Sequence, residues 1–149
     1  MKYIPFGEQN NHHKAYIITD DNDIEIGQVE GNLNDYGEFI TVVKLYSSQN
    51  QRKGLGFNAF NKVYNELNET LPVEIIKGSW HSGEEFESYE EGMSTNLKKF
   101  FEEKENGKND QEAAFQTPTG KWAKKLGYEE CNVISVSRES TQVDFIKKQ

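Results

Sequence analysis

"VVKLYSSQNQRKGLGFNAFNKVYNEL", residues 42 to 67, changes its hydrophobic period halfway along. It continues the run "EFITVVKLY" (38 to 46), which is rich in β-branched and aromatic residues and predicts a strand covered on both faces. After the glycines the spacing turns helical. Phe57, Phe60, Tyr64, Leu67 and Leu71 recur at steps of three and four, while Asn58, Asn61, Asn65 and Asn68 take the other side. That pattern predicts an amphipathic helix, stopped by Pro72. "VEIIKGSW" (73 to 80) follows as a second strand. Strand, polar loop, helix and strand in that order predict a parallel pair.

Working outward, "KAYIITDDNDIEIGQVEG" holds two β-rich runs, 15 to 19 and 24 to 29, around the polar cluster Asp20 to Asp23, and reads as a hairpin. "KYIPF" adds a short strand that Pro5 restricts to an edge. On the C-terminal side, residues 81 to 111 read as a helical, acidic insertion. Phe86, Tyr89, Met93, Leu97 and Phe100 keep helical spacing, Gly92 breaks it into two pieces, and "ENGKND" reads as a loop. "TPTGKWAKKLGY" predicts a helix with Thr117 as N-cap, Pro118 at the first helical position and Gly127 as its stop. "CNVISVSRESTQVDFIKK" alternates and turns around Glu139 and Ser140, a closing antiparallel hairpin.

The 149 residues fit one ordinary domain, read here as 1–149. Apolar residues are a lean 34%, but nine Phe, seven Tyr and two Trp supply large core side chains, so the chain reads as globular. No apolar run approaches the length of a membrane span or of a signal peptide. The single cysteine, Cys131, allows no internal disulfide and suits a reducing compartment; the expected address is the cytoplasm. A net charge of −8 argues against a nucleic-acid surface, which needs clustered Lys and Arg. It suits a cationic substrate or a basic partner, and equally a charge that merely keeps the chain in solution.

Gly54 and Gly56 can be tested against three phosphate motifs. No G-x-x-x-x-G-K-S/T is present, which excludes a P-loop. Gly54, Gly56 and Ala59 match the dinucleotide fingerprint locally. That motif, however, needs its first glycine directly after the strand, and here a polar run from Ser47 to Lys53 intervenes. It also needs a ribose-binding acid at the end of the next strand, whereas the next carboxylate is Glu84, 30 residues after Gly54.

The third motif fits. Residues 42 to 67 resemble the acetyl-CoA-binding segment of the GNAT superfamily of N-acetyltransferases. Its signature is Gln or Arg, two residues, Gly, one residue, then Gly or Ala, between a long strand and a helix. Gln51, Gly54 and Gly56 match it. The likeness extends over most of the chain, to the helix end "KLGY" and the final hairpin. It implies an α/β (α+β) fold with a mixed, mostly antiparallel sheet and a central parallel strand pair. It further implies an acetyl-CoA-dependent N-acetyltransferase that passes acetyl directly to an amine of a small molecule or protein in a ternary complex. The alternative is a non-catalytic module of the same fold that binds CoA or a protein partner.

By position, the resemblance assigns pantetheine contacts to Leu45, Tyr46 and Ser47. The pyrophosphate falls to Gln51, Arg52, Lys53, Gly54, Leu55, Gly56 and Phe57. There, backbone N–H groups unpaired at a helix start point at the anion and the helix dipole favours it. The attacking amine must first lose a proton, and the candidates to take it are Glu38 at the start of the central strand and His81 at the end of the next. Glu38 reads more readily as a solvated strand-end acid, and His81 equally as a surface-loop histidine. Two departures stand out. Ala123, beside Trp122, occupies the position where the family often carries a proton-donating Tyr. The helical pair that usually walls the acceptor site, between the first two strands, is missing.

The remaining residues read as quiet. Glu84, Glu85, Glu87, Glu90 and Glu91 suggest either capture of a cation or the solvated face of a helix. His12 and His13 lie in a polar loop with no partner set for a metal, and no metal site is expected. Cys131 is expected to be a small buried side chain, and Trp80 and Trp122 to be core or pocket walls.

Overall fold

The structure, a computed structural model, describes residues 1–47, 49–50, 53–82 and 95–148. These fall into two compact units, one within 1–74 and one within 75–148.

The first unit is a four-stranded meander with a helix packed on it. Its strands are β1 (Lys2–Pro5), β2 (His13–Thr19), β3 (Glu25–Leu33) and β4 (Glu38–Leu45), and the helix is α1 (Leu55–Asn68). Each strand pairs antiparallel with the next. The β2–β3 turn is built from its aspartates: Asp20 Oδ1 accepts the N–H groups of Asn22 and Ile24, and Asp23 takes φ 62. Asn34 does the same in the β3–β4 turn, accepting from Tyr36 and Glu38 at 3.0 Å each.

One face of the meander packs on α1. Tyr16, Val29 and Val43 stand in one cross-strand row, and Leu33 faces Phe39 in another. Ala59, Phe60, Val63 and Leu67 are fully buried on the helix side. Phe39 meets Phe60 and Tyr64 edge to face at 5.6 and 5.8 Å. β3 runs to Leu33, beyond the expected end at residue 29, through Gly27 and Gly31. The reason is packing. A Cβ on Gly31 would come within 3.1 Å of Val63 and 3.2 Å of the Phe39 ring, so the glycine lets the helix approach. The connection 6–12 from β1 to β2 contains no helix, as its length indicates.

The second unit holds β5 (Ile75–His81), α2 (Asn96–Glu105), α3 (Asp110–Gln116), α4 (Pro118–Lys125), β6 (Glu130–Val136) and β7 (Ser140–Ile146). β7 lies between β5 and β6 and is antiparallel to both. Ile76, Trp80, Val143 and Phe145 are buried from the strands, and Phe100, Ala113, Ala114, Ala123 and Tyr128 from the helical side. Trp80 is a core residue, packed 6.1 Å from Phe100. Leu97 and Phe100 sit buried on α2 as the spacing predicts. Phe86, Tyr89, Gly92 and Met93, with the acidic run 84–91, lie outside the described residues.

Two expectations need correction here. The segment after "ENGKND" is a helix of its own, α3, opened by a capping box: Asn109 accepts from the Glu112 N–H, and Glu112 reaches back to the Asn109 N–H. Cys131 is half-buried and not buried, because β6 has β7 on one side only among the described residues. Its Sγ lies 4.0 Å from the Gln111 carbonyl oxygen, and burial pushes the thiol up to about 11, so it stays protonated at neutral pH.

The last helix ends as "KLGY" dictates. Gly127 takes φ 95, its N–H reaches the Lys124 carbonyl, and the Tyr128 N–H reaches the Ala123 carbonyl at 3.0 Å. These are the two bonds of a Schellman ending, and they turn Tyr128 into the core. The class is therefore mixed α/β with mostly antiparallel strands, as expected. Of the expected parallel pair, one strand stands in each unit.

Candidate functional site

The expected cofactor residues converge on one connection of the first unit, from the end of β4 to the start of α1. Leu45 closes β4 with its side chain buried, opposite Gly27 of β3. Tyr46 leaves the strand but stays tied to it: its N–H donates to the Ile26 carbonyl at 3.0 Å, and its hydroxyl donates to Glu25 at 3.1 Å. Burial first, and then the Glu25 carboxylate, raises the Tyr46 hydroxyl above its ordinary pKa. Ser47 Oγ accepts the Asn50 N–H at 3.3 Å, and the Asn50 carbonyl accepts the Lys53 N–H at 3.3 Å. Gln51 and Arg52 lie outside the described residues.

Gly54 opens α1. It is the N-cap, at φ 76 and ψ 12, in the left-handed region that glycine enters without a Cβ penalty. A Cβ built there meets nothing within 4 Å, so the space around it is open. No described side chain caps this end, and the first turn carries no acid. The other three helices are capped by Thr95, Asn109 and Thr117. The backbone of Gly54, Leu55, Gly56 and Phe57 forms the rim of the α1 opening, where the positive end of the helix dipole favours an anion. The Lys53 N–H is engaged with Asn50, and Lys53 itself is exposed. What holds the rim in place is the buried Gly56–Ala59–Phe60 side of α1 against the sheet.

Neither candidate proton acceptor belongs to that connection. Glu38 starts β4, at the opposite end from Leu45; seven residues of strand separate them by roughly 23 Å. Its carboxylate accepts from the Asn34 side chain at 2.8 Å, and the turn that holds it is the Asn34 turn described above. His81 ends β5 in the second unit, half-buried, with Nε2 3.1 Å from Ser79 Oγ. The following residue fixes the strand end, since the Ser82 N–H donates to the Glu139 carbonyl at 3.0 Å. Ala123 is fully buried inside α4.

Sequence reasoning overlooked three contributors: Ser47 as cap of the loop, Asn34 as holder of Glu38, and Ser79 as partner of His81. Each had a legible signal. Ser47 and Asn34 are side chains of the cap-forming type beside a turn, and Ser79 shares a strand face with His81 at a spacing of two.

His12 and His13 diverge. His12 Nδ1 faces the Leu33 carbonyl at 2.8 Å and Nε2 the Asp35 carboxylate at 3.6 Å. His13 faces the Glu8 carbonyl and the Glu30 carboxylate. Among the described residues no group of three or more His, Cys, Asp or Glu could hold a metal ion, and no helix is long and apolar enough to cross a membrane.

No protein-family model and no curated protein matches the chain. Among solved structures it is similar to an acetyltransferase from Bacillus cereus ATCC 14579, with TM-score 0.48 and 13% identity over 91% of this chain and 71% of that one. A chimera of the spermidine N-acetyltransferase SpeG from Vibrio cholerae and hSSAT matches at TM-score 0.48 and 12% identity, over 93% and 71% of the two chains. A GNAT-family acetyltransferase from Staphylococcus aureus Mu50 matches at TM-score 0.49 and 9% identity, over 91% and 68%. Each of the three is named as an acetyltransferase.

Proposed function

We propose that the chain is an acetyl-CoA-dependent N-acetyltransferase. The observation that carries the reading is the opening of α1. A left-handed glycine, with no cap from a described side chain and no acid in the first turn, stands where the signature Gln51–Gly54–Gly56 calls for a pyrophosphate cradle. The residues present fit the group. The backbone of Gly54 to Phe57 would face the phosphates, with the Lys53 ammonium adding charge at the rim. Leu45, Tyr46 and Ser47 would run beside the pantetheine. There the Tyr46 N–H is already bonded to the Ile26 carbonyl.

Bound acetyl-CoA would supply a thioester carbonyl. The chain's task is to hold an amine against it, exclude water and accept a proton. A lysine-type amine has a pKa of about 10.4 and must be deprotonated before attack. His81 and Glu38 are the groups proposed for this. Of the two, His81 is favoured, because Glu38 stands at the end of β4 opposite to Leu45. A thiol with a pKa of about 8.5 can leave as thiolate without a donor, which the buried Ala123 does not provide. The reading includes a single functional domain over 1–149 and a cytoplasmic address, which the lone Cys131 favours.

Buried Ala123 also favours a second reading, a non-catalytic module that binds CoA. Release of free thiol from acetyl-CoA over a panel of primary amines and polyamines separates the two. Amine-dependent release supports the transferase. Binding without release supports the module, and neither binding nor release overturns both.

A further inference from the structure

β5 alternates cleanly between two environments. Ile76, Gly78 and Trp80 are buried, while Lys77, Ser79 and His81 line the other face. Opposite them on β7 stand Asp144, Gln142 and Ser140 in register. This face is polar, and its charged members are already matched: Lys77 Nζ lies 3.3 Å from Asp144 Oδ1. Two positions along, the His81 ring turns back along its own strand, and its Nε2 comes to 3.1 Å from Ser79 Oγ. The backbone on either side is fixed, by the pairing of His81 with Ser140 and by the Ser82 N–H on the Glu139 carbonyl. Ser79 is therefore the side chain that sets how the ring is turned.

We propose that Ser79 is a positioning residue for His81: Ser79 Oγ accepts the Nε2–H of the neutral ring and leaves Nδ1 as the lone pair that takes the amine proton. The base role of His81 and the choice of Nδ1 as its acceptor rest on the transferase reading above; the Ser79–His81 contact does not. A neutral imidazole has one donor and one acceptor nitrogen, and which is which follows from the bond that the other one makes. A serine hydroxyl can accept from Nε2–H and still give its own proton to a neighbour or to water. On proton transfer, the N–H bond of the substrate ammonium breaks and an Nδ1–H bond forms. His81 becomes imidazolium, still donating through Nε2 to the same oxygen; the freed amine lone pair would attack the thioester carbon of acetyl-CoA, whose C–S bond breaks as the thiolate leaves. The ring need not turn between the two states, which is what a base held for repeated use requires.

Two measurements test this separately. Long-range nitrogen–proton correlation NMR on the chain alone, without cofactor, reads the His81 tautomer above the pH at which the ring titrates. A pyrrole-type Nε2 with a pyridine-type Nδ1 supports the assignment, and the reverse pattern overturns it. In Ser79→Ala the Nε2 proton should exchange faster with water, and Ser79→Thr should restore slow exchange. Unchanged exchange in Ser79→Ala overturns the bond. In the transferase assay, Ser79→Ala should lower kcat roughly tenfold with the affinity for acetyl-CoA unchanged, and Ser79→Thr should recover most of it. A kcat that is equal in wild type and Ser79→Ala overturns the positioning role. A wild-type chain that transfers nothing overturns the base role, while the spectrum still decides the tautomer.

Discussion

The ring of Phe39, the second residue of β4, meets the ring of Phe60 on α1 edge to face at 5.6 Å, with 81° between their planes. Phe60 lies one turn and a half inside the helix, so this contact fixes the direction in which the Gly54–Phe57 rim points. Both rings are fully buried. Phe60→Ala should cost about 3–5 kcal/mol of stability, and acetyl-CoA should bind more weakly in the fraction that stays folded. Urea unfolding followed by titration with the cofactor reads both effects.

Gly54 separates strain from function. Among the described residues nothing stands within 4 Å of a Cβ there, so the expected cost of Gly54→Val is the strain of its left-handed backbone, about 1–2 kcal/mol. The Tm should fall modestly while acetyl-CoA binding is lost, because the new side chain occupies the open space over the rim. Calorimetric Tm and binding isotherms on the same sample check the contrast.

Gly120 and Gly127 make the complementary pair in the second unit. A Cβ on Gly120 would stand 2.0 Å from the Ala114 carbonyl oxygen, where α4 starts against α3. Gly127 has open space and φ 95. Gly120→Ala should cost about 3 kcal/mol through forced separation of the helices, and Gly127→Ala only about 1 kcal/mol through backbone strain. Chemical denaturation should rank them in that order.

Tyr16 gives a pH dependence. Its hydroxyl lies 2.8 and 2.6 Å from the two oxygens of Glu66, while Lys62 bridges to Glu66 at 3.1 Å and lies over the Tyr16 ring. Burial first, and then the Glu66 carboxylate, pushes the phenol up to about 12. The folded state therefore holds this proton more tightly than the unfolded chain, whose tyrosine titrates at about 10. The contribution is complete below about pH 10 and is lost as pH rises towards about 12. Stability in urea should fall over that window, and Glu66→Ala should flatten the fall and bring Tyr16 down in a tyrosinate absorbance titration.

Much of this fold was legible, and the reasons lie in particular residues. Phe57, Phe60, Tyr64 and Leu67 announced α1 because a buried helix face must repeat every three or four residues. Thr117, Pro118 and Gly127 marked both ends of α4, since caps act locally. α3 was missed because Ala113, Ala114 and Phe115 are too short a run to show a period, although Asn109 and Glu112 carried its capping box. β3 was cut short because Gly31 reads as a breaker until Val63 and Phe39 are seen to need its missing side chain. At the candidate site, Gly54 and Gly56 were visible as a motif. That the Lys53 and Tyr46 N–H groups are spent on Asn50 and Ile26 was not, because pairing across a turn or a sheet is set by the folded backbone.

The central claim is that the start of α1 holds the pyrophosphate of CoA. Isothermal titration of the whole chain with acetyl-CoA, with NAD as the comparison and Gly54→Val as the control, tests it most directly. The account predicts one site for acetyl-CoA, no heat with NAD and no heat with the variant. A wild-type chain that gives no heat with acetyl-CoA, or a Gly54→Val variant that binds it equally well, would contradict it.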